Sequence, residues 1–161
     1  MTTVFTIGHS NLSIEAFFAL LEPHKIALLV DVRTSPYSRY VPQFNRELLA
    51  AETTRRGLVY CHLGEDLGGR PSDPALLTDG APDYDKMAAN PRLLETLSKV
   101  VAAAATRQVA LLCSEGDPAD CHRGRLLGRV LVNRFSVDVA HITADGLRSQ
   151  LDLLPEQTTL F

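Results

Sequence analysis

Apolar residues recur along the chain in two alternating patterns. Short runs of β-branched, aliphatic and aromatic residues stand at 3–8, 26–33, 58–64, 108–115 and 137–143. Runs of this length and composition predict strands, and the continuously apolar ones predict burial on both faces of a sheet. Segments with apolar residues at helical spacing lie between them. The alternation predicts a three-layer, Rossmann-like α/β fold with a five-stranded, mainly parallel sheet and helices on both faces.

The segments between these strands carry helix start and stop signals. Ser13 is a candidate N-cap for the first helix, and Asn45 is one for a second helix that ends near Arg56. Further helices are predicted at 84–89, from 91 to about 106, and in a last segment that ends near 135. Right-handed crossovers favour the strand order 3-2-1-4-5, and the flavodoxin-like order 2-1-3-4-5 is the alternative.

The length of 161 residues predicts a single domain, which we assign to 1–145, followed by a C-terminal tail at 146–161. One connection, at 65–91, is rich in Gly, Pro and Asp and is long for a compact domain. Such a segment is either a lid over a site or a set of surface turns.

Composition narrows the class of protein. Hydrophobic residues make up 45% of the chain and charged residues 22%, as in soluble globular proteins. The net charge of -3 argues against a surface that coats nucleic acid. Three cysteines are too few for a disulfide framework, and neither a secretory signal nor a membrane-spanning apolar run stands out. We expect a cytoplasmic location and no membrane contact; the oligomeric state stays open.

Polar and reactive side chains follow several of the predicted strands. In parallel sheets, ligands bind beyond the carboxyl ends of the strands, so these side chains define a candidate site at one rim. They are Gly8, His9, Ser10 and Asn11 after the first strand, Asp31 and Arg33 at the second, and Cys113, Ser114 and Glu115 at the fourth. A structural ion pair between Asp31 and Arg33 is the alternative interpretation of the second set.

The segment "GDPADCHRGR" (116–125) predicts a capped helix start at this rim, with Asp117 as N-cap. Arg123 near the positive end of that helix suits a phosphate or carboxylate. A cysteine in such a place is either a nucleophile, because its thiolate is stabilised, or a small packed side chain. Both interpretations hold for Cys121 and for Cys113, and the two thiols can also form a disulfide.

Three further features of the sequence are candidates for a functional role. His9 is either a general base or a polar residue whose side chain hydrogen-bonds the backbone of its own loop. The cluster of Tyr37, Arg39 and Tyr40 resembles loops that stack bases and contact phosphates, and "GGR" (68–70) is a candidate anion nest. The cysteines and histidines lack zinc-ligand spacing, and Cys113 to Arg123 does not fit a Cys-x5-Arg phosphatase loop. We therefore predict no metal and no cofactor.

Five blocks occur in order: "TIGHSN", "VDVRTSPYSRYVPQFN", "YCHLGEDLGGRP", "DYDKMA" and "LLCSEGDPADCHR". Over roughly 3–143 the chain resembles the uncharacterised bacterial and archaeal family of the domain of unknown function 488. The resemblance implies a Rossmann-like fold and a rim built from these blocks, but no established reaction. Ala119 stands where the family often has a bulky aromatic, which weighs against base stacking by this loop. The residues implied are Gly8, His9, Asp31, Val32, Arg33, Pro36, Ser38, Phe44, Asn45, Leu67, Gly68, Gly69, Cys113, Glu115, Cys121, His122 and Arg123.

The last five residues, "QTTLF", resemble the peptide by which bacterial replication and repair proteins dock on the sliding clamp. Gln157 would set the register, and Leu160 and Phe161 would fill an apolar pocket. The alternative is that these apolar side chains pack on the domain itself.

Two functions are consistent with these patterns. The first is an enzyme that acts on an anionic, phosphate-bearing substrate, either a nucleotide or a nucleic acid, at the rim of the sheet. The second is a non-catalytic accessory module for nucleic-acid processing that docks on a sliding clamp through its tail. The expected catalytic residues are His9, Asp31, Cys113, Glu115, Cys121 and His122. The expected substrate-binding residues are Ser10, Asn11, Arg33, Tyr37, Gly68, Gly69 and Arg123.

Overall fold

A computed structural model describes residues 2–153 as an α/β structure. In chain order the strands are β1 (Thr3–Gly8), β2 (Leu28–Asp31), β3 (Val59–His62), β4 (Leu77–Thr78), β5 (Ala81–Pro82), β6 (Val109–Cys113), β7 (Asp138–Thr143) and β8 (Gly146–Ser149). The α-helices are α1 (Ile14–Leu21), α2 (Arg46–Arg55), α3 (Gly64–Leu67), α4 (Tyr84–Ala88), α5 (Pro91–Ala104) and α6 (Arg129–Phe135). A π-helix at Arg123–Gly128 runs directly into α6.

The central sheet has six strands in the order β3-β2-β6-β1-β7-β8. The first five are parallel, and β8 is antiparallel to β7. The mainly parallel α/β architecture predicted from the sequence is therefore confirmed. Both predicted strand orders are wrong, because β6 lies between β1 and β2. Every residue of β6 is buried, so its apolar composition suits any interior position and does not specify its neighbours.

The helices divide between the two faces of the sheet. On one face, Phe17 and Leu21 of α1 and Leu49 of α2 pack against strand residues such as Leu29. On the other face, α5, the π-helix and α6 pack against strand residues such as Leu111. This is the three-layer arrangement that the alternating pattern predicts.

The topology opens a crevice at the carboxyl end of β6. The chain leaves β1 and β2 toward α1 and α2 on one face, whereas it leaves β6 toward the π-helix on the opposite face. When the segments that follow adjacent strands diverge in this way, they leave space beyond the strand ends, and ligands bind in that space in such sheets. Gly8 allows the end of β1 to approach the loop that follows β6. A Cβ at this position would lie 1.6 Å from the Glu115 carbonyl oxygen.

Several segments differ from the sequence prediction. Residues 146–149, assigned to the tail, form β8 and extend the sheet by pairing with β7. The long connection at 65–91 contains part of α3, the small hairpin of β4 and β5, and α4. The last predicted helix is divided into a 3-10 turn at Pro118–Asp120, the π-helix and α6. Asn45 precedes α2 as predicted, but its side chain accepts from the Ser38 backbone N–H instead of capping the helix.

Candidate active site

A cavity of about 300 Å³ lies at the carboxyl ends of β2 and β6. The 3-10 turn at Pro118–Asp120 and the start of the next helical segment close one side of it, and the residues that follow β2 close another. Six of the residues expected to be catalytic or to bind substrate line this cavity: Arg33, Gly69, Cys113, Glu115, Cys121 and His122. The rim predicted from the strand ends therefore holds a real depression with reactive side chains in its wall.

Two cysteines are in direct contact in the cavity wall. The Sγ atoms of Cys113 and Cys121 lie 2.7 Å apart and share a hydrogen bond; both residues are free thiols rather than a disulfide. Cys113 ends β6, while Cys121 follows the turn that Asp117 caps by accepting from the Ala119 N–H. Cys121 is 5% exposed and Cys113 is 1% exposed, so Cys121 is the sulfur nearer to solvent.

Arg123 is entirely buried behind this cysteine pair. Its Nε donates to Cys113 Sγ at 3.0 Å, and its Nη1 donates to Thr6 Oγ1 at 2.6 Å. Its Nη2 donates to the carbonyl oxygens of Glu115 and Gly116 at 3.2 and 2.9 Å. Within residues 2–153, no carboxylate forms an ion pair with this guanidinium. Arg123 therefore fixes the end of β6 and the following loop from inside the protein.

The charge on Arg123 bears on the protonation of the cysteines. A buried cation without a counter-charge is strongly destabilising. A single negative charge on the cysteine pair, in hydrogen-bond contact with Nε, supplies that counter-charge. The local environment favours the same state: the shared hydrogen bond with Cys113, followed by His122, lowers the pKa of Cys121. Burial, followed by the same hydrogen bond, raises the pKa of Cys113. These directions favour a single proton on the pair, with the negative charge on Cys121.

His122 is the other functional group beside Cys121. Its Nδ1 lies 3.7 Å from Cys121 Sγ, and its Nε2–H donates to the Val32 carbonyl oxygen at 3.2 Å. The second hydrogen bond leaves Nδ1 free to accept a proton from the thiol. Gly69 packs against the imidazole, since a Cβ there would come within 3.0 Å of the ring. A cysteine and an oriented histidine are the parts of an activated thiol nucleophile.

A network of buried hydrogen bonds extends from Arg123 through Thr6 and His141 to Gln150. Thr6 Oγ1 accepts from Arg123 and lies 2.5 Å from His141 Nδ1, while His141 Nε2 lies 2.6 Å from Gln150 Oε1. Gln150 Nε2 donates to the Gly124 carbonyl at 2.9 Å, so its Oε1 must accept. His141 therefore carries its proton on Nε2 and accepts from the Thr6 hydroxyl at Nδ1. Burial lowers the pKa of His141 to about 4, which keeps this imidazole neutral.

Thr6, His141 and Gln150 were not identified from the sequence. The available signal was a polar residue within a predicted strand, since Thr6 and His141 interrupt the apolar runs of β1 and β7. Buried polar groups need hydrogen-bond partners, so two polar positions on adjacent strands point to a shared network. Their partnership depends on the pairing of β1 with β7, in which Thr6 stands opposite His141.

Asp31 and Arg33 form a separate buried cluster on the opposite face of the sheet. Arg33 donates to both Asp31 carboxylate oxygens, at 2.9 and 2.8 Å, and to the Phe44 carbonyl. Tyr60 donates its hydroxyl to Asp31 at 2.5 Å. Burial and this hydrogen bond raise the pKa of Tyr60. Asp31 is fully buried and does not line the cavity, whereas Arg33 reaches its wall. The ion pair between Asp31 and Arg33, the alternative interpretation of these residues, is present.

His9 belongs to the same face as this ion pair. Its ring stacks on Phe44 with the centroids 4.6 Å apart, and Nδ1 donates to the Ser10 carbonyl at 2.8 Å. Burial lowers the pKa of His9, so the neutral ring is favoured. His9 is not part of the wall of the cavity that holds the cysteines. The His9 backbone N–H donates to the Cys113 carbonyl oxygen at 3.0 Å, but its imidazole lies apart from the thiols that the sequence grouped with it.

The remaining predicted substrate-binding residues lie apart from the cysteines. Ser10 and Asn11 line a second depression of about 420 Å³ beyond β1 and β7. Tyr37 is exposed and donates its hydroxyl to Glu47. Gly68 is buried against Thr34. Gln157, Leu160 and Phe161 lie outside the described residues, so docking on a sliding clamp stays a prediction.

The structure combines a Rossmann-like α/β fold with a buried cysteine pair at the rim of its sheet. The family model described as Domain of unknown function DUF488 matches residues 13–130, which is well over half of the chain, and the protein belongs to this family. The match includes Asp31, Arg33 and the segment from Cys113 to Arg123, whereas Gly8, His9 and His141 lie outside it. Searches of curated proteins and of solved structures found no match.

Residues 2–153 were searched for groups of metal ligands and for membrane-spanning helices. This part of the chain contains no group of three or more His, Cys, Asp or Glu side chains arranged to hold a metal ion. None of its helices is both long enough and apolar enough to cross a bilayer.

Proposed function

We propose that this protein is a cysteine-dependent enzyme that acts on a small anionic, phosphate-bearing substrate in the cavity beyond β2 and β6. Cys121 is the nucleophile, and Cys113 and Arg123 hold it as a thiolate. One observation carries the proposal: a fully buried arginine faces two cysteines and has no carboxylate partner within residues 2–153. A structural arginine is ordinarily balanced by a carboxylate, as Arg33 is by Asp31.

The chemistry follows from the order of groups around the sulfur. The Cys121 thiolate attacks an electrophilic phosphorus or carbon atom of the substrate, and the bond to the leaving group breaks. His122 holds a proton at Nδ1 and delivers it to the leaving group. The same imidazole then removes a proton from water, which attacks the covalent intermediate and restores the thiolate. This division into two steps is the general advantage of a thiol nucleophile.

Substrate recognition is assigned to the cationic part of the cavity wall. Arg33 and Arg70 both line the cavity. Arg33 is already paired with Asp31, whereas Arg70 takes part in none of the ion pairs found within residues 2–153. Arg70 is therefore the group best placed to contact a phosphate. Glu115 and Asp120 lie in the same wall, so they would exclude substrates that are anionic over their whole length.

The nucleophile is tested by the rate of alkylation at neutral pH. Iodoacetamide should modify Cys121 at least about tenfold faster than Cys61, because only a thiolate reacts and burial raises the pKa of the Cys61 thiol, which keeps it protonated at pH 7. Cys61→Ser is the matched control and should leave the rate at Cys121 unchanged. Equal rates at the two residues would remove the thiolate, and with it the proposed enzyme.

The substrate class is tested by thermal shift with inorganic phosphate, nucleotides and oligonucleotides. The wild type should be stabilised by at least one phosphate-bearing compound, and Arg70→Ala should lose that stabilisation because the contact is removed. Arg92→Ala is a matched surface control, since this exposed arginine pairs with Asp66 away from the cavity wall. No shift with any compound would contradict an anionic substrate.

A further inference from the structure

We propose that Cys121 and Cys113 form a peroxide-reactive dithiol, in which a small hydroperoxide oxidises Cys121 and the pair then closes as a disulfide. The inference rests on the thiolate of the proposed function, but it adds a modification site and its chemical class of reactant. It uses both sulfurs, whereas the nucleophilic role alone needs only Cys121.

The placement of the two sulfurs is the first argument. Cys113 is held by β6 and by Arg123, and Cys121 is held by the capped turn at Pro118–Asp120. Their Sγ atoms are in contact, so no other atom separates them. Cys61 lies on β3 and makes no contact with either sulfur among the side-chain hydrogen bonds of the described residues. A cysteine that is oxidised in the cavity therefore has one resolving partner.

The shape of the cavity selects a small reactant. Cys121 is only 5% exposed and lies in the wall of a cavity of about 300 Å³. A disulfide in another protein would have to bring a bulky main chain to this sulfur in line with its own S–S bond. Hydrogen peroxide and short alkyl hydroperoxides need to present only one terminal oxygen. The geometry therefore favours hydroperoxides as the oxidant.

The reaction balances in two steps. The Cys121 thiolate attacks the terminal oxygen of ROOH, the O–O bond breaks, and Cys121 becomes a sulfenic acid while RO⁻ leaves and takes up a proton as ROH. Cys113 then loses its proton and attacks Cys121 Sγ, and the hydroxyl leaves with that proton as water. Two electrons pass from the two sulfurs to the peroxide. A dithiol reductant returns them by thiol–disulfide exchange.

Arg123 has a distinct task in each redox state. Its Nε, 3.0 Å from Cys113 Sγ, stabilises negative charge on Cys113 as that sulfur attacks. Closing the disulfide removes the negative charge that balances the buried guanidinium. The oxidised state is therefore electrostatically disfavoured relative to an ordinary disulfide, and a dithiol reductant should reopen it readily. While the disulfide persists, the proposed nucleophile is blocked.

The test uses the full-length reduced protein and one equivalent of hydrogen peroxide. After quenching with iodoacetamide, tryptic peptides are examined by mass spectrometry. Both cysteines fall in the tryptic peptide 108–123, so their disulfide appears as an unalkylated peptide that has lost two hydrogens. Wild type and the control Cys61→Ser should both give this product, and dithiothreitol should reverse it. The Cys113→Ser variant, which keeps a hydroxyl donor beside Cys121, should instead leave a sulfenic acid that dimedone traps.

Two failures are distinguishable. If Cys121 is alkylated slowly before any peroxide is added, the thiolate is absent and the proposed function fails together with this inference. If Cys121 is alkylated rapidly but the peroxide-treated wild type keeps Cys113 alkylatable, only this inference is overturned. Oxidation of Cys121 beyond the sulfenic acid in the wild type, with Cys113 still free, would also overturn it.

Discussion

Two buried arginines lie at the same end of the sheet, on opposite faces, and they are balanced in different ways. Arg33 is paired with the Asp31 carboxylate, whereas Arg123 faces a pair of cysteines. The ordinary pKa of a carboxyl group lies well below 7, whereas that of a thiol lies above 7, so a thiol becomes a thiolate only where its surroundings favour the charge. The first pair therefore stabilises structure, and the second is the one that we propose to create a reactive group.

The largest expected effect concerns the carboxylate side. Arg33→Met leaves the Asp31 carboxylate buried without its cation, and we expect the free energy of unfolding to fall by about 3–5 kcal/mol. The double variant Asp31→Asn/Arg33→Met should recover part of that loss, because it leaves no unpaired charge. Urea denaturation of the single and double variants measures the coupling. Additive losses would show that the pair is not a unit and would break the comparison.

The second effect is the dependence of stability on pH through His141. Burial lowers the pKa of His141 from 6.5 to about 4 in the folded state, so the unfolded state binds the proton first as the pH falls. Stability from this group is complete above pH 6.5 and is lost as the pH falls toward 4, by about 3 kcal/mol for a shift of this size. His141→Gln should remove this part of the acid sensitivity. If the free energies of unfolding of the wild type and of His141→Gln fall by the same amount between pH 7 and pH 4, the assignment is contradicted.

The third effect concerns the cysteine side. Arg123→Met should cost about 2–3 kcal/mol, because the carbonyls of Glu115 and Gly116 and the Thr6 hydroxyl lose a buried donor. We expect a smaller loss than for Arg33→Met, since the cysteines can take up a proton and become neutral. The alkylation rate of Cys121 at pH 7 should fall by about tenfold, as the thiol returns toward its ordinary pKa. An unchanged rate would mean that Arg123 does not support the thiolate.

The smallest effects compare one hydroxyl on each face. Tyr60→Phe removes the hydrogen bond to Asp31, and Thr6→Val removes the link between Arg123 and His141. Each should lower the free energy of unfolding by about 1–3 kcal/mol. Only Thr6→Val should slow the alkylation of Cys121, since it alone loosens Arg123. If Tyr60→Phe slows it equally, the two clusters are not independent.

Much of the fold was accessible from local signals. The apolar runs predicted the five parallel strands, and Ser13 and Asp117 marked helical starts that the structure contains. The residue pattern did not predict β8, because Gly146–Ser149 is a short exposed edge strand with no apolar run. It also did not predict the π-helix at Arg123–Gly128, since a change in helical hydrogen bonding leaves no pattern that differs from an α-helix.

The sequence predicted which residues lie at the candidate site better than it predicted what each residue does there. Cys113, Cys121 and His122 lie together, as the convergence of strand ends suggested. Arg123 was expected at the helix start facing a ligand, but its side chain is fully buried and donates inward. Residue type and spacing place an arginine near a rim; they do not say whether it points to solvent or to the interior. That orientation depends on Thr6 and on the loop carbonyls, which other segments supply.

The sequence by itself determined which segments are strands, which end of each strand carries polar side chains, and that two cysteines stand near one rim. These features follow from side-chain periodicity and local capping, which act over a few residues. Only the tertiary structure decided that β6 lies between β1 and β2, that the two sulfurs touch, and that two arginines are balanced by different partners. Those outcomes depend on which buried strands pair and on how distant charges compensate one another, and apolar strands of similar composition do not encode that choice locally.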